Sequence, residues 1–375
     1  MKVLILSISA GGGHIHAAKA VENYTTINDP NSEVKVVDTL KYINPIIDKV
    51  VIGSYLKSIK LSPSIFGKLY SYSDNEDGFA SVSNKFNELM ALRILPLIKE
   101  FTPDIILTTH FFPTEMLSIL KYKNKLSVPC ISLLTDYSSH NFWIHPGVDA
   151  YVVSNSDMIG EMTEKGVEEK NIYNLGIPVK PDFIMSYDKD QTLKDLELDP
   201  KKLTILIMGG SLGLGKIRNL YEELKKVDRD FQIIVITGSN KKLYSELLKL
   251  QTTSTKETRV IGFTNEVNKY MQACDLLLTK PGGLTITEAL VCRTPLGLFS
   301  PIPGQEEKNA QFLLRHNLAV NIGNIKHCKE SIEELISNSD KLKEMKNNCN
   351  GFSKPNSGND IYELMNKMVK QPART

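Results

Sequence analysis

Two stretches concentrate the side chains and backbone of this chain that could do chemistry: Lys280-Pro281-Gly282-Gly283-Leu284-Thr285-Ile286-Thr287-Glu288 and Pro303-Gly304-Gln305-Glu306. A short apolar strand, Asp275 to Thr279, runs into paired glycines and then a helical pattern. Backbone N–H groups and the positive end of a helix therefore converge on one point, which suits a diphosphate. The Glu288 carboxylate and the Gln305/Glu306 pair can exchange hydrogen bonds with the hydroxyls of a ribose and a hexose. The implied ligand is a nucleotide-sugar. Structural readings stand beside these: Thr285-x-x-Glu288 has the spacing of a capping box, and Gln305-Glu306 can be a polar loop opening a helix.

Two further glycine turns sit between strand and helix patterns, at Gly11-Gly12-Gly13-His14 and Gly209-Gly210-Ser211-Leu212-Gly213. Each can bring N–H groups to a ligand at the carboxyl edge of a sheet, and each taken singly can be simple chain reversal. Neither fits the P-loop pattern. His14 opens a helix, whose positive end disfavours a second positive charge, so a neutral imidazole able to accept a proton is expected; a packing or capping role is the alternative. His16 falls on another face and is expected at the surface. Asp136, after the apolar run Val128 to Leu134, can orient or deprotonate an acceptor, or cap a turn; His140, Trp143 and His145 follow in the same loop.

The elements that must position these groups alternate between strand and helix twice over. Strands are predicted over Lys2 to Ser7, Glu33 to Asp38, Ile105 to Thr109, Val128 to Leu134 and Ala150 to Val153, with helices near His14 to Thr25, Ile46 to Ser58, Asn84 to Phe101, Thr114 to Tyr122 and Ser156 to Glu164. A second series runs through Thr204 to Met208, Gln232 to Ile236, Arg259 to Ile261, Leu276 to Leu278, Pro295 to Leu298 and Ala319 to Ile322. This pattern predicts an α/β protein with two parallel sheets, each covered on both faces. The break falls near Gly176-Ile177-Pro178-Val179-Lys180-Pro181, giving domains 1–180 and 181–375, with room for the last helix to pack back on the first.

A length of 375 residues favours two domains, and 41% hydrophobic with 23% charged residues is ordinary for a globular chain. A net charge of +2 gives no case for nucleic-acid binding. Five scattered cysteines without a C-x-x-C pair fit reduced thiols and a cytosolic compartment. The first residues are too short an apolar run for a signal peptide, and no run is long enough to span a bilayer.

The three glycine turns with Glu288 and Gln305, together with Thr135-Asp136-Tyr137, His140, Trp143, Gly176-Ile177-Pro178-Val179 and Pro303-Gly304-Gln305-Glu306, extend over nearly the whole chain. In these motifs it resembles glycosyltransferase family 28, in the branch of monogalactosyldiacylglycerol synthases and processive diacylglycerol glucosyltransferases. The resemblance implies a GT-B architecture: two Rossmann-like domains whose sheets face an interdomain cleft. It implies an inverting hexosyltransferase with no metal and no cofactor, taking UDP-glucose or UDP-galactose as substrate and diacylglycerol as acceptor. It places His14 facing the acceptor hydroxyl, with Asp136 as helper or rival base. It puts the donor on Gly12, Gly13, Gly210, Ser211, Leu212, Phe263, Thr264, Pro281, Gly282, Gly283, Leu284 and Thr285, with Glu288 on the ribose, Gln305 and Glu306 on the hexose, and the uracil gripped by backbone at Phe263-Thr264.

Residues Lys41 to Ser71 interleave lysines, among them Lys49, Lys57 and Lys60, with many apolar residues against a single acid, Asp48. Such a stretch can sit on an anionic membrane surface, here the inner face of the cell membrane, or can be an ordinary amphipathic helix. Two other functions share the expected architecture: a UDP-sugar 2-epimerase or hydrolase, and a non-catalytic UDP-sugar sensor at a membrane. Oligomeric state and the choice between glucose and galactose stay open at this level.

Overall fold

The computed structural model describes residues 1–9, 12–44, 80–210, 213 and 216–370. Lys49, Lys57, Lys60, Ser211 and Leu212, and the helix expected near Ile46 to Ser58, lie outside the described residues. The chain divides into two compact units: Met1–Pro181 with Ile302–Gln305 and Lys354–Thr375, and Asp182–Pro301 with Glu306–Ser353.

In the first unit the order is β1 (Lys2–Ser7), α1 (Gly13–Asn28), β2 (Glu33–Asp38), α2 (Thr39–Ile43), α3 (Ala80–Phe101), β3 (Ile105–Thr108), α4 (Phe111–Tyr122), β4 (Cys130–Leu133), β5 (Ala150–Val152), α5 (Asp157–Glu164) and β6 (Ile172–Tyr173). The six strands are parallel in the order β2-β1-β3-β4-β5-β6. The inner strands β1, β3 and β4 are apolar and buried along most of their length, as expected of a sheet covered on both faces. Leu4, Leu6 and Ile106 pack beneath Ile94, Leu97, Met116 and Leu120 of α3 and α4. The short α2 and the two-residue β6 were not expected from sequence.

The second unit runs α6 (Lys189–Asp195), β7 (Thr204–Met208), α7 (Ile217–Leu224), β8 (Gln232–Ile236), α8 (Lys241–Gln251), β9 (Thr258–Ile261), α9 (Val267–Ala273), β10 (Leu276–Thr279), α10 (Gly283–Val291), β11 (Leu296–Leu298), α11 (Gln305–Arg315, whose first residue clusters with the first unit), β12 (Ala319–Asn321), α12 (Lys329–Ser337) and α13 (Ser339–Phe352). Its sheet is again six-stranded and parallel, ordered β12-β11-β10-β7-β8-β9, the order of a dinucleotide-binding fold.

The last helix, α14 (Ser357–Lys370), belongs to the first unit and lies on α1. A Cβ at Gly358 would stand 2.0 Å from a ring carbon of Tyr24, so a glycine is what lets the two helices meet. Ser357 Oγ donates to the Gly176 carbonyl at 2.9 Å, so the glycine-proline stretch that reads as a break in sequence also receives the returning chain end.

All five cysteines are free, and burial raises each thiol above its ordinary pKa, so none is poised as a nucleophile. Among the described residues no helix is long and apolar enough to cross a membrane.

Candidate active site

Ligands bind an open parallel sheet where the strand order reverses, at the carboxyl ends of the strands. In the first unit the reversal lies between β1 and β3. After β1 the chain passes through Gly12, with φ 92, and enters α1 at Gly13; no side chain caps this helix. His14 is the second residue of α1. Its Nδ1 lies 2.8 Å from the carbonyl oxygen of Thr109, just beyond β3, and 2.8 Å from Thr135 Oγ1, just beyond β4. A carbonyl can only accept, so the short contact puts the proton of the neutral ring on Nδ1 and leaves the Nε2 lone pair to receive one.

Burial holds the His14 pKa down to about 4, with the Thr109 hydrogen bond pulling weakly the other way. The imidazole is therefore neutral near pH 7, as expected, although burial is the main cause. His16, expected at the surface, is half-buried; burial and nearby Lys180 lower its pKa.

His110 stands beside His14, with ring centroids 4.6 Å apart and an edge-to-face tilt. Its Nδ1 accepts from the Phe112 N–H at 3.1 Å and so caps α4. Burial and the neighbouring His14 keep it neutral as well. Neither Thr109 nor His110 was singled out in the sequence.

Asp136 is 5% exposed and follows Thr135 in the same turn. Ser154 Oγ donates to its carbonyl at 2.8 Å, and Asn155 Nδ2 donates to the Tyr137 carbonyl at 3.2 Å, so residues just after β5 brace the turn. The segment Ile302–Gln305 belongs to this unit, and Gln305 Nε2 donates to Asp136 Oδ2. The structure thus brings His14, Thr135, Asp136 and Gln305 together.

In the second unit the order reverses between β7 and β10. Gly209 and Gly210 follow β7, and the Gly213 N–H donates to the Gly210 carbonyl at 3.0 Å. Gly213 has φ 56, and a Cβ there would lie 2.1 Å from the Thr237 carbonyl oxygen, so both conformation and space demand glycine.

After β10 come Lys280 and the buried Pro281, and α10 begins at Gly283 with Gly282 as N-cap and no side-chain cap bond. Thr285 is not the N-cap, so the alternative reading of Thr285-x-x-Glu288 as a capping box does not hold. The helix starts two residues earlier, Thr285 lies inside its first turn, and Thr287 Oγ1 donates back to the Gly283 carbonyl at 2.9 Å. Glu288 is a half-buried residue within α10, as Leu284 and Thr285 are.

Glu306, expected to read hexose hydroxyls, has Oε1 2.9 Å from Lys280 Nζ, the two side chains being 15% and 10% exposed. Asn309 Nδ2, one turn on, donates to the Pro281 carbonyl at 3.1 Å. Two side chains of α11 therefore fix the turn after β10. Phe263 is 67% exposed, and Thr264 Oγ1 accepts from the Glu266 N–H at 3.0 Å in this short loop after β9. Among the described residues no group of three or more His, Cys, Asp or Glu could hold a metal ion.

Residues 14–179 match the family described as monogalactosyldiacylglycerol (MGDG) synthase, and residues 204–361 match the glycosyltransferase family 28 C-terminal domain. The chain is 31% identical over 371 residues to a processive diacylglycerol beta-glucosyltransferase of Bacillus pumilus, covering 96% of this chain and 94% of the relative. It is 30% identical over 365 residues to the Bacillus subtilis protein of the same name, with the same coverage, 96% and 94%.

Solved structures share the fold at low identity. MurG of Acinetobacter baumannii superposes with a TM-score of 0.63 at 15% identity, covering 98% of this chain and 99% of that one. A UDP-GlcNAc 2-epimerase of Neisseria meningitidis gives 0.60 at 13%, covering 98% and 100%. MurG and the epimerase superpose to a similar degree, so the likeness in shape shows the fold alone. The sequence relatives do: this chain belongs to glycosyltransferase family 28, in the branch of monogalactosyldiacylglycerol synthases and processive diacylglycerol glucosyltransferases, and has the GT-B fold of two parallel α/β sheets.

Proposed function

We propose that this enzyme transfers a hexose from a UDP-sugar to the free hydroxyl of diacylglycerol, with inversion, to give a β-linked glycolipid. The observation that carries the mechanism is the His14 ring, neutral and with Nδ1 committed to the Thr109 carbonyl, which leaves Nε2 as a base. The acceptor oxygen attacks the anomeric carbon, its proton passes to His14 Nε2, and the bond from that carbon to the β-phosphate oxygen breaks with its electron pair leaving on UDP. Asp136 orients the acceptor hydroxyl.

The charge that develops on the diphosphate is met by backbone N–H groups of the turns at Gly209–Gly213 and Gly282–Gly283 and by the positive end of α10. Glu288 accepts from the ribose hydroxyls. Gln305 and Glu306 face the hexose, Glu306 held in place by Lys280. Phe263-Thr264 hold the uracil through backbone.

The lipid acceptor requires the enzyme to work at a membrane surface. The lysine-rich stretch Lys41 to Ser71 supplies an attraction to anionic lipid that would hold it on the inner face of the cell membrane. Incubation with anionic vesicles containing diacylglycerol, and with UDP-glucose or UDP-galactose in turn, tests the proposal by mass spectrometry of the lipid. A product heavier by one hexose, seen only with donor and diacylglycerol together, is expected. Conversion of the UDP-sugar to an epimer or a free sugar, with the lipid unchanged, would overturn it.

A further inference from the structure

The chemistry proposed above uses one of two adjoining histidines. His110, the N-cap of α4, is 8% exposed and meets the His14 ring edge to face, with centroids 4.6 Å apart. Phe111 lies against it at 4.2 Å and Trp143 stands at 6.5 Å, so its surroundings are largely aromatic. Capping accounts for one of its nitrogens: Nδ1 accepts from the Phe112 N–H at 3.1 Å. Serine, aspartate and asparagine are the residues preferred for that task. An imidazole brings a second nitrogen, and the cap makes no use of it.

The hydrogen bonds fix what that second nitrogen carries. Burial and the neighbouring His14 hold the His110 pKa well below its ordinary value, and Nδ1 of the neutral ring accepts, so the proton sits on Nε2. His14 is the reverse case, with its proton on Nδ1 against the Thr109 carbonyl and a lone pair on Nε2. Two touching neutral imidazoles thus present opposite groups, an acceptor on His14 and an N–H donor on His110. Among the described residues neither Nε2 makes a hydrogen bond, and the two atoms are no further apart than the centroid spacing plus the radius of each ring. A buried N–H left unpaired is costly, so the pair suits a ligand that carries a hydroxyl and, close by, a carbonyl oxygen.

A 1,2-diacylglycerol has that pattern, because the carbon next to its free hydroxyl group's carbon bears an ester. A bond from His110 to the hydroxyl oxygen itself would draw electron density from the atom that must attack. We propose that His110 Nε2–H donates to the ester carbonyl nearest the free hydroxyl while His14 takes the hydroxyl proton, so that the enzyme selects ester-linked over ether-linked glycerol lipids. The inference rests on the transfer to diacylglycerol proposed above. His110 binds the acceptor in this account and moves no proton.

The test compares wild type, His110→Asn and His110→Gln on anionic vesicles that carry either 1,2-diacylglycerol or 1,2-dialkylglycerol, which offers the same hydroxyl and chains without the carbonyl. For each enzyme kcat/KM on both acceptors, UDP affinity and Tm are measured. Asparagine keeps an acceptor where Nδ1 stands and loses the donor; glutamine places an amide N–H where Nε2 stands and loses the cap. Wild type should favour the diester about tenfold. His110→Asn should bring that ratio close to one through a loss on the diester, and His110→Gln should keep most of the preference with a lower Tm. UDP affinity should match the wild type in both. A wild-type ratio near one overturns the inference. So does His110→Asn enzyme that keeps the preference, or that loses activity equally on both acceptors, which would make His110 a support for the turn or for His14. No hexosyl lipid from wild type on either acceptor would overturn the proposed transfer itself, a result read in the wild-type arm before any variant is compared.

Discussion

The two units carry different candidate groups on the same scaffold. Both are six-stranded parallel sheets, and in both the candidate groups gather where the strand order reverses, between β1 and β3 in one and between β7 and β10 in the other. At the first reversal stand side chains that can exchange protons: His14, His110 and, one strand further along, Asp136. At the second stand glycine turns, a helix N-terminus and a Lys280–Glu306 pair, which offer fixed dipoles. A parallel α/β sheet supplies the location in both cases. The residues after the strands decide what each location offers: titratable side chains in the first unit, glycine turns and a helix N-terminus in the second.

The sharpest way to break this division is at His14. His14→Ala should lower kcat by roughly 100-fold or more while leaving UDP affinity near that of the wild type, as a base acts after binding. Steady-state rates with UDP titration calorimetry would show it. Near-normal turnover would move the role of base to Asp136.

Next in size is the lipid side. Replacing Lys49, Lys57 and Lys60 with glutamine should weaken binding to anionic vesicles, each lysine contributing on the order of 1 kcal/mol at low salt, with no change in UDP affinity. Vesicle sedimentation across a salt series checks this. Equal binding by parent and variant at every salt concentration would place membrane docking elsewhere.

Glu288→Ala should weaken UDP and UDP-sugar binding by about 1 to 3 kcal/mol, the scale for charge-assisted hydrogen bonds. Tm is measured on the same variant, to separate loss of affinity from loss of the fold. A large drop in Tm with intact UDP affinity would instead give Glu288 a structural role.

The last effect is on pH. His14 is held at about 4 in the folded state, below the ordinary 6.5 of an unfolded histidine. On acidification the unfolded chain takes up this proton first, so the fold loses stability as pH falls through 6.5 and the loss is complete below about 4. His14→Asn should remove that part of the fall in Tm between pH 7 and pH 4.5, leaving the parts due to His110, His16 and His145, whose pKa values are shifted in the same direction.

Much of this arrangement was legible in the sequence, for reasons that differ by element. Lys2–Ser7, Thr204–Met208 and Gln232–Ile236 match the expected strands end to end, because their interiors Val3–Leu6, Ile205–Met208 and Ile233–Ile236 are unbroken buried apolar runs, as in strands covered on both faces. Ile172–Tyr173 was missed because two residues make no pattern. The helix after the paired glycines was expected and opens there, at Gly283; the alternative reading, in which Thr285-x-x-Glu288 forms a capping box, fits by spacing alone, and the N-cap is Gly282.

His14 was recognisable by its place after a glycine turn. Its partners were not, since Thr109 and Thr135 lie 95 and 121 residues away, and a main-chain carbonyl leaves no trace in side-chain identity. The same applies to Lys280 and Glu306: each was visible in its own motif, and only the fold makes them a pair.

The most direct test of the central claim is the stoichiometry of UDP release and lipid glycosylation, measured on the same wild-type sample with and without diacylglycerol in otherwise identical anionic vesicles. The account predicts that UDP appears only when diacylglycerol is present and in step with the hexose gained by the lipid. UDP or an epimerised sugar nucleotide formed at the same rate without diacylglycerol would contradict it.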